Sequence, residues 1–162
     1  MKIKIYTCSL LVLFTAAAAN AQSLGYKDDQ NIERPNEKSI LISWVLDFTG
    51  QTTADGTSTV AGAFSDEASR HEDFTVKVNS SGTEATVTGT ILIHGTKGDL
   101  TEQFVGKIPL GPNPTLIEGN GIFTGGTGAY AGVSGHATFE GTVDFATGHL
   151  VGVTEGKVAV KH

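Results

Sequence analysis

Glu102 is the acidic residue whose position most suggests chemistry. It alternates with Leu100 and Phe104, so the three side chains share one face of a predicted β-strand. If that face lines the interior, Glu102 is a polar anchor for a ligand or a proton-transfer group, because buried acids often have a shifted pKa. The alternative is a strand end or a bulge that lets Glu102 reach water. We favour this alternative because bulges are common at barrel rims.

The other reactive residue types form no recognisable site. The five histidines are His71, His94, His136, His149 and His162. None lies at a metal-binding spacing, so we expect no metal and no cofactor. No serine lies in a nucleophile elbow. The acids of segment 65–73 lack a calcium-loop pattern, and we interpret that segment as a solvated, charged loop.

The glycine-rich segment 119–135 resembles a dinucleotide fingerprint only superficially. That fingerprint requires a helix after the glycines, to hold a pyrophosphate at the helix N-terminus. Here the residues from Ala137 to Phe145 alternate between apolar and polar, which indicates a strand. We therefore expect a structural turn in which Tyr130 closes one end of the fold. Its glycines are Gly125, Gly126, Gly128, Gly132 and Gly135.

Alternation between apolar and polar residues also predicts the elements that would position these side chains. It extends over 40–48, 57–64, 74–78, 85–93, 99–108, two strands of a hairpin within 119–145, and 149–160. Eight short strands with no helical stretch favour an all-β fold, an eight-stranded antiparallel up-and-down β-barrel. A β-sandwich is the alternative.

The inner face of this barrel would be apolar, with at most one polar group. We expect a ligand cavity lined by Trp44, Phe64, Phe104, Tyr130, Phe139 and Phe145. Such a cavity would accept a small apolar ligand. Leu92 and Val105 would face outward and are candidate contacts between copies of the chain.

The N-terminus has the three-part pattern of a secretory signal peptide, with cleavage predicted after Ala21. Cleavage would remove Cys8, the chain's one cysteine, and two lysines, changing the formal net charge from −6 to −8. This predicts a secreted or periplasmic protein with no membrane insertion after cleavage. An acidic surface also argues against binding nucleic acid. Residues 22–39 would be a flexible leader, and 40–162 a single β-barrel domain.

The segment Gly126–Gly135, entered through Ile122 and Phe123, resembles the allene oxide cyclase and dirigent barrel superfamily, and in particular its small secreted bacterial members. The resemblance implies a calycin-like eight-stranded barrel, often trimeric, with an apolar cavity. Plant members cyclise an unstable epoxide or steer radical coupling without cofactors. Only the hairpin glycines and Tyr130 match by position, and their implied role is structural.

Two functions follow from these observations. The preferred one is a non-enzymatic barrel that binds a small apolar ligand or serves as an assembly module, with a homo-oligomer, a trimer, implied by the resemblance. The second is a cofactor-free isomerase or cyclase like the plant proteins. The second function requires an open cavity and at least one acid or tyrosine that points into the barrel. A filled interior would exclude both ligand binding and cyclase chemistry and would leave a structural or oligomerisation role.

Overall fold

A computed structural model describes residues 36–50 and 52–160 as a closed barrel of eight β-strands. Each strand pairs antiparallel with the next along the chain, and the last strand pairs with the first. The strands are β1 (Glu37–Thr49), β2 (Thr53–Gly62), β3 (Asp66–Val78), β4 (Glu84–Gly95), β5 (Gly98–Pro109), β6 (Thr115–Gly126), β7 (Val133–Asp144) and β8 (His149–Val160). The predicted up-and-down barrel is confirmed, and the hydrogen-bonded closure between β1 and β8 excludes the sandwich.

The alternation seen in the sequence places the core inside this cylinder. In β1, Ile40, Ile42, Trp44 and Leu46 are buried, whereas the residues between them are exposed. Successive side chains of a strand point to opposite faces, so a register slip of one residue would expose this whole set. Burial of the apolar set therefore holds the pairing of β1 with both of its neighbours in place.

β3 differs from the prediction. The sequence predicts a solvated loop over 65–73 and a short strand over 74–78, but one continuous strand spans Asp66–Val78. Its inward positions carry polar and charged side chains, which removes the apolar alternation by which strands are recognised. At the other end of β3, Val76 and Val78 are 43% and 52% exposed, although the sequence places them on the buried face.

Two further boundaries are shifted. β1 begins at Glu37, so the last three residues of the predicted leader belong to a strand. β2 spans Thr53–Gly62, so it begins four residues before the strand predicted over 57–64. Phe64 lies beyond the end of β2 but is buried. The earlier start of β1 extends its pairing with β8, where Glu37 pairs with Ala159. The earlier start of β2 lengthens the β1–β2 hairpin, in which Thr49 pairs directly with Thr53.

The hairpin of β6 and β7 contains a single 3₁₀ turn, Gly128–Tyr130, and β7 follows it. Gly128 and Gly132 have φ angles of 56° and 71°, in the left-handed region that favours glycine. Tyr130 is buried, and its ring lies edge-on to Phe64 with 4.8 Å between centroids. Because a strand follows the glycines, no helix N-terminus is present there to hold a pyrophosphate.

Within the described ranges, no helix has the length and apolar character needed to cross a membrane. The predicted signal peptide, residues 1–21, lies outside the described residues, as do residues 22–35 of the predicted leader. Cys8 and His162 are also outside them.

Candidate functional site

The barrel interior holds a group of buried polar side chains. We call it the inner polar cluster; its members are Ser58, Arg70, Glu72, Glu102 and Thr154. Charged residues are almost never buried unless they are paired. Three ionisable side chains in one small interior therefore form the feature of this barrel that most needs a physical explanation. The expectation of at most one inward polar group is wrong.

Strand pairing brings the charged members together. Arg70 and Glu72 are two residues apart on β3, so both side chains point inward. Glu72 pairs across the sheet with Ile91 of β4, and Ile91 pairs with Glu102 of β5. The two carboxyl groups thus flank Ile91 in one row of the inner face, with Arg70 in the adjacent row.

Arg70 is 3% exposed and uses one of its nitrogens for an ion pair. Its Nη2 donates a hydrogen bond to Oε1 of Glu72. Its Cζ lies 5.1 Å from the centre of the Trp44 ring, a distance typical of a cation–π interaction. Nε and Nη1 of Arg70 have no hydrogen-bond partner among the described residues.

Trp44 forms one wall of the cluster. Its Nε1 donates a hydrogen bond of 3.1 Å to Oγ1 of Thr154 on β8. The ring lies directly over Gly152, where a Cβ would come within 2.3 Å of Cζ2 of the tryptophan. Gly152 therefore leaves the space that the indole ring occupies, and the indole in turn supports the Arg70 guanidinium.

Glu102 is fully buried, with 0% exposure. Its side chain lies over Gly121, where a Cβ would be 1.7 Å from Oε1. Neither carboxyl oxygen has a hydrogen-bond partner among the described residues. Burial raises the pKa of Glu102 to about 7; Arg70 opposes this shift and Glu72 adds to it. Glu102 therefore changes charge near neutral pH.

The favoured sequence interpretation of Glu102 is wrong. The register of β5 and β6 does shift between Thr101 and Glu102, so a bulge is present. The bulge does not carry the carboxyl group to water, because Glu102 remains on the inner face with Leu100 and Phe104. The alternation of residues along β5, which puts Glu102 on the same face as Leu100 and Phe104, was sufficient to place it on the inner face.

The predicted cavity-lining aromatics divide into two groups. Five are buried: Trp44, Phe64, Phe104, Tyr130 and Phe139. Phe145 is 49% exposed, so its assignment to the interior is wrong. β7 ends at Asp144, whose Oδ1 accepts a hydrogen bond from the Ala146 amide, and this turn ends the alternation. Phe145 instead lies against Phe48, with 6.3 Å between ring centroids.

Three exposed histidines, His71, His94 and His149, pair with aspartates on neighbouring strands. Nδ1 of His149 lies 2.7 Å from Asp47, and Nδ1 of His94 lies 2.9 Å from Asp99. Nδ1 of His71 lies 2.5 Å from Oδ1 of Asp55. This hydrogen bond is the main reason that the pKa of His71 is raised. Among the described residues, no group of three ligand-type side chains could hold a metal ion.

A groove with a volume of about 620 Å³ lies on the outer face of β5 to β8. The exposed residues that line the groove alternate along each strand with residues that face inward, and Val105 is one of the exposed residues. The groove carries four charged side chains: Lys107, Glu118, Glu140 and Glu155. It is therefore a surface separate from the inner polar cluster.

Comparison of the chain with protein-family models, curated proteins and solved structures finds no match. The resemblance to the allene oxide cyclase and dirigent superfamily stays a prediction.

The sequence reasoning missed Arg70 and Glu72. It interpreted them as parts of a loop, because a strand with charged inward residues shows no hydrophobic period. One signal was present: Asp66, Ala68, Arg70 and Glu72 share one parity. That parity identifies a face but does not say that the face is buried.

Proposed function

We propose that this protein binds a small molecule inside the barrel, at the inner polar cluster. The observation that carries the proposal is that two buried charged side chains have atoms with no hydrogen-bond partner among the described residues. These are Nε and Nη1 of Arg70 and both carboxyl oxygens of Glu102. A buried polar group without a partner costs about 1–3 kcal/mol, more when it is charged. A bound ligand that supplies the missing hydrogen bonds would offset this cost.

The surroundings of the cluster also fit a binding site. Trp44, Ile91 and Phe123 are buried next to the charged groups and would contact the apolar part of a ligand. Ligand sites are mostly apolar with a few convergent polar groups. The ligand would thus be mainly apolar, as the sequence suggests, but anchored by hydrogen bonds. We further propose that the protein acts outside the cytoplasm, which the N-terminal signal pattern supports.

The chain contains one tryptophan, and it lies in the proposed site. Trp44 fluorescence therefore reports directly on binding. We expect protein purified from its native host, or incubated with a host lipid and metabolite extract, to retain a small molecule in native mass spectrometry. Release of that molecule would shift the Trp44 emission.

Glu102→Leu should lose the retained molecule, and Glu155→Gln on the outer face should keep it. This function would be ruled out if protein from the native source carries no bound molecule and its Trp44 emission does not change when the extract is added.

A second function is supported by the pKa of about 7 for Glu102. A carboxyl group that titrates near neutral pH can accept a proton from carbon and return it, which is the chemistry of a cofactor-free isomerase. The test is exchange of carbon-bound hydrogen for deuterium in a bound carbonyl compound. Glu102→Gln should abolish the exchange while Trp44 still reports binding. Exchange that continues in Glu102→Gln would exclude this role.

A further inference from the structure

The unpartnered atoms of the inner polar cluster define what a ligand must offer. A guanidinium can only donate hydrogen bonds, so Nε and Nη1 of Arg70 require an acceptor. An ionised carboxylate can only accept, so Glu102 requires a donor. Arg70 already pairs with Glu72, and its own charge is therefore largely balanced. A ligand that satisfies both residues therefore carries both an acceptor and a donor.

The charges of the cluster also limit the charge of the ligand. When Glu102 is ionised, one guanidinium faces two carboxylates, so a ligand anion would be repelled in a medium of low dielectric constant. A ligand ammonium group would pair with Glu102 but would leave the donors of Arg70 without an acceptor. An uncharged polar group avoids both penalties.

Building on the proposed function, we propose that the ligand is an uncharged, mainly apolar molecule with a carbonyl oxygen next to an N–H or O–H group, such as a carboxamide, a lactam or an α-hydroxyketone. The carbonyl oxygen accepts hydrogen bonds from Arg70, and the neighbouring N–H or O–H donates to Glu102. The apolar remainder contacts Trp44 and Phe123.

Three matched probes test this assignment. Cyclohexanecarboxamide has both the acceptor and the donor, methyl cyclohexanecarboxylate has only the acceptor, and cyclohexanecarboxylate is an anion. Titrations are followed by Trp44 fluorescence at about pH 8, above the pKa of about 7, so that Glu102 is ionised. We expect the amide to bind at least about tenfold more tightly than the ester, because the ester leaves Glu102 unpaired. The anion should bind most weakly.

Variants then identify which side chains recognise the ligand. Glu102→Leu should remove the preference for the amide over the ester. The double variant Arg70→Met/Glu72→Leu should weaken both probes, and it removes the two members of the Arg70–Glu72 ion pair together, so that neither is left without the other. Glu155→Gln is the control, because Glu155 lies in the outer groove. Circular dichroism establishes that each variant is folded, and a variant that does not fold is replaced by Glu102→Gln, which should reduce the preference.

The outcomes separate this inference from the function on which it rests. Equal or tighter binding of the ester or of the anion would overturn the proposed ligand class but leave interior binding intact. Saturation by the amide that persists unchanged in Glu102→Leu would also overturn it. If no probe changes the Trp44 signal, the ligand class is wrong. Interior binding is then decided by the native mass spectrometry experiment alone.

Discussion

The outer face and the interior of this barrel both hold charged side chains in pairs, under opposite conditions. On the outer face, Asp55 and His71 pair across β2 and β3, with both side chains substantially exposed. In the interior, Arg70 and Glu72 pair on β3, almost fully removed from water. Water solvates the outer pair whether or not the partner is present, whereas each inner charge depends on the other.

The comparison also separates partnered from unpartnered groups. His71 contacts Asp55 through Nδ1 and Asp73 through Nε2, so both ring nitrogens have partners. Within residues 36–50 and 52–160, Arg70 and Glu102 have buried side-chain atoms for which no hydrogen-bond partner is present. Substitutions should therefore have large effects inside and small effects outside. The four predictions below test this contrast in order of decreasing effect.

The largest effect is expected for Glu72→Leu. This change leaves the Arg70 guanidinium buried without its partner, which costs about 3–5 kcal/mol of the free energy of unfolding. Arg70→Met/Glu72→Leu removes both charges and should recover most of that loss. Urea unfolding of the two variants measures the difference. A double variant no more stable than Glu72→Leu would contradict the view that the unpaired charge causes the loss.

Glu102 should make stability depend on pH. Its pKa rises from 4.5 to about 7 on folding, so the folded state holds its proton more tightly. The contribution of Glu102 to stability is therefore fully present below pH 4.5 and is lost as pH rises towards about 7. The loss is about 3 kcal/mol relative to Glu102→Gln, which cannot titrate. Urea unfolding of both proteins across this range gives the difference, and parallel pH profiles would disprove burial of an ionisable Glu102.

Gly152→Ala should have an intermediate effect. The new Cβ would lie 2.3 Å from Cζ2 of Trp44 and 2.4 Å from the backbone oxygen of Glu140, so the indole and the neighbouring strand must both move. Overpacking of this kind costs about 1–3 kcal/mol. The displaced ring should also weaken its hydrogen bond to Thr154 and shift the Trp44 emission. Gly111→Ala is the matched control, because no atom lies within 4 Å of its Cβ position. Equal effects of the two substitutions would show that the Trp44 contact is not tight.

The smallest effect is expected for Asp55→Asn on the outer face. The hydrogen bond to Asp55 raises the pKa of His71, so this pair stabilises the fold below pH 6.5 and the contribution is lost as pH rises above that value. Exposed pairs of this kind contribute less than about 1 kcal/mol, and added salt reduces the contribution further. Unfolding at low and high salt measures it. A loss as large as that of Glu72→Leu would remove the distinction between the two regions.

Much of the fold could be predicted from local patterns. Alternation identified most strands, and the glycines of 125–135 marked the β6–β7 turn, because side-chain period and backbone preference are local properties. β3 was missed over 66–73 because its inward residues are polar. Phe145 was misplaced because parity does not show where a strand ends.

The candidate site was only partly visible in the sequence. Parity placed Glu102 with Leu100 and Phe104, and this was sufficient to select it as a candidate. Nothing local connects Glu102 with Arg70, which lies two strands away and 32 positions earlier in the chain. Their proximity depends on the pairing of β3 with β4 and of β4 with β5.

By itself, the sequence determined which residues share a face of each strand and where the chain turns, because these properties depend on neighbours along the backbone. Only the tertiary structure decided which face of β3 is enclosed and that Arg70, Glu72 and Glu102 share one interior. The physical reason is that closure of the barrel is a non-local pairing. It buries whatever side chains lie on the inner face, including charged ones, and so creates the environment that raises the pKa of Glu102 to about 7.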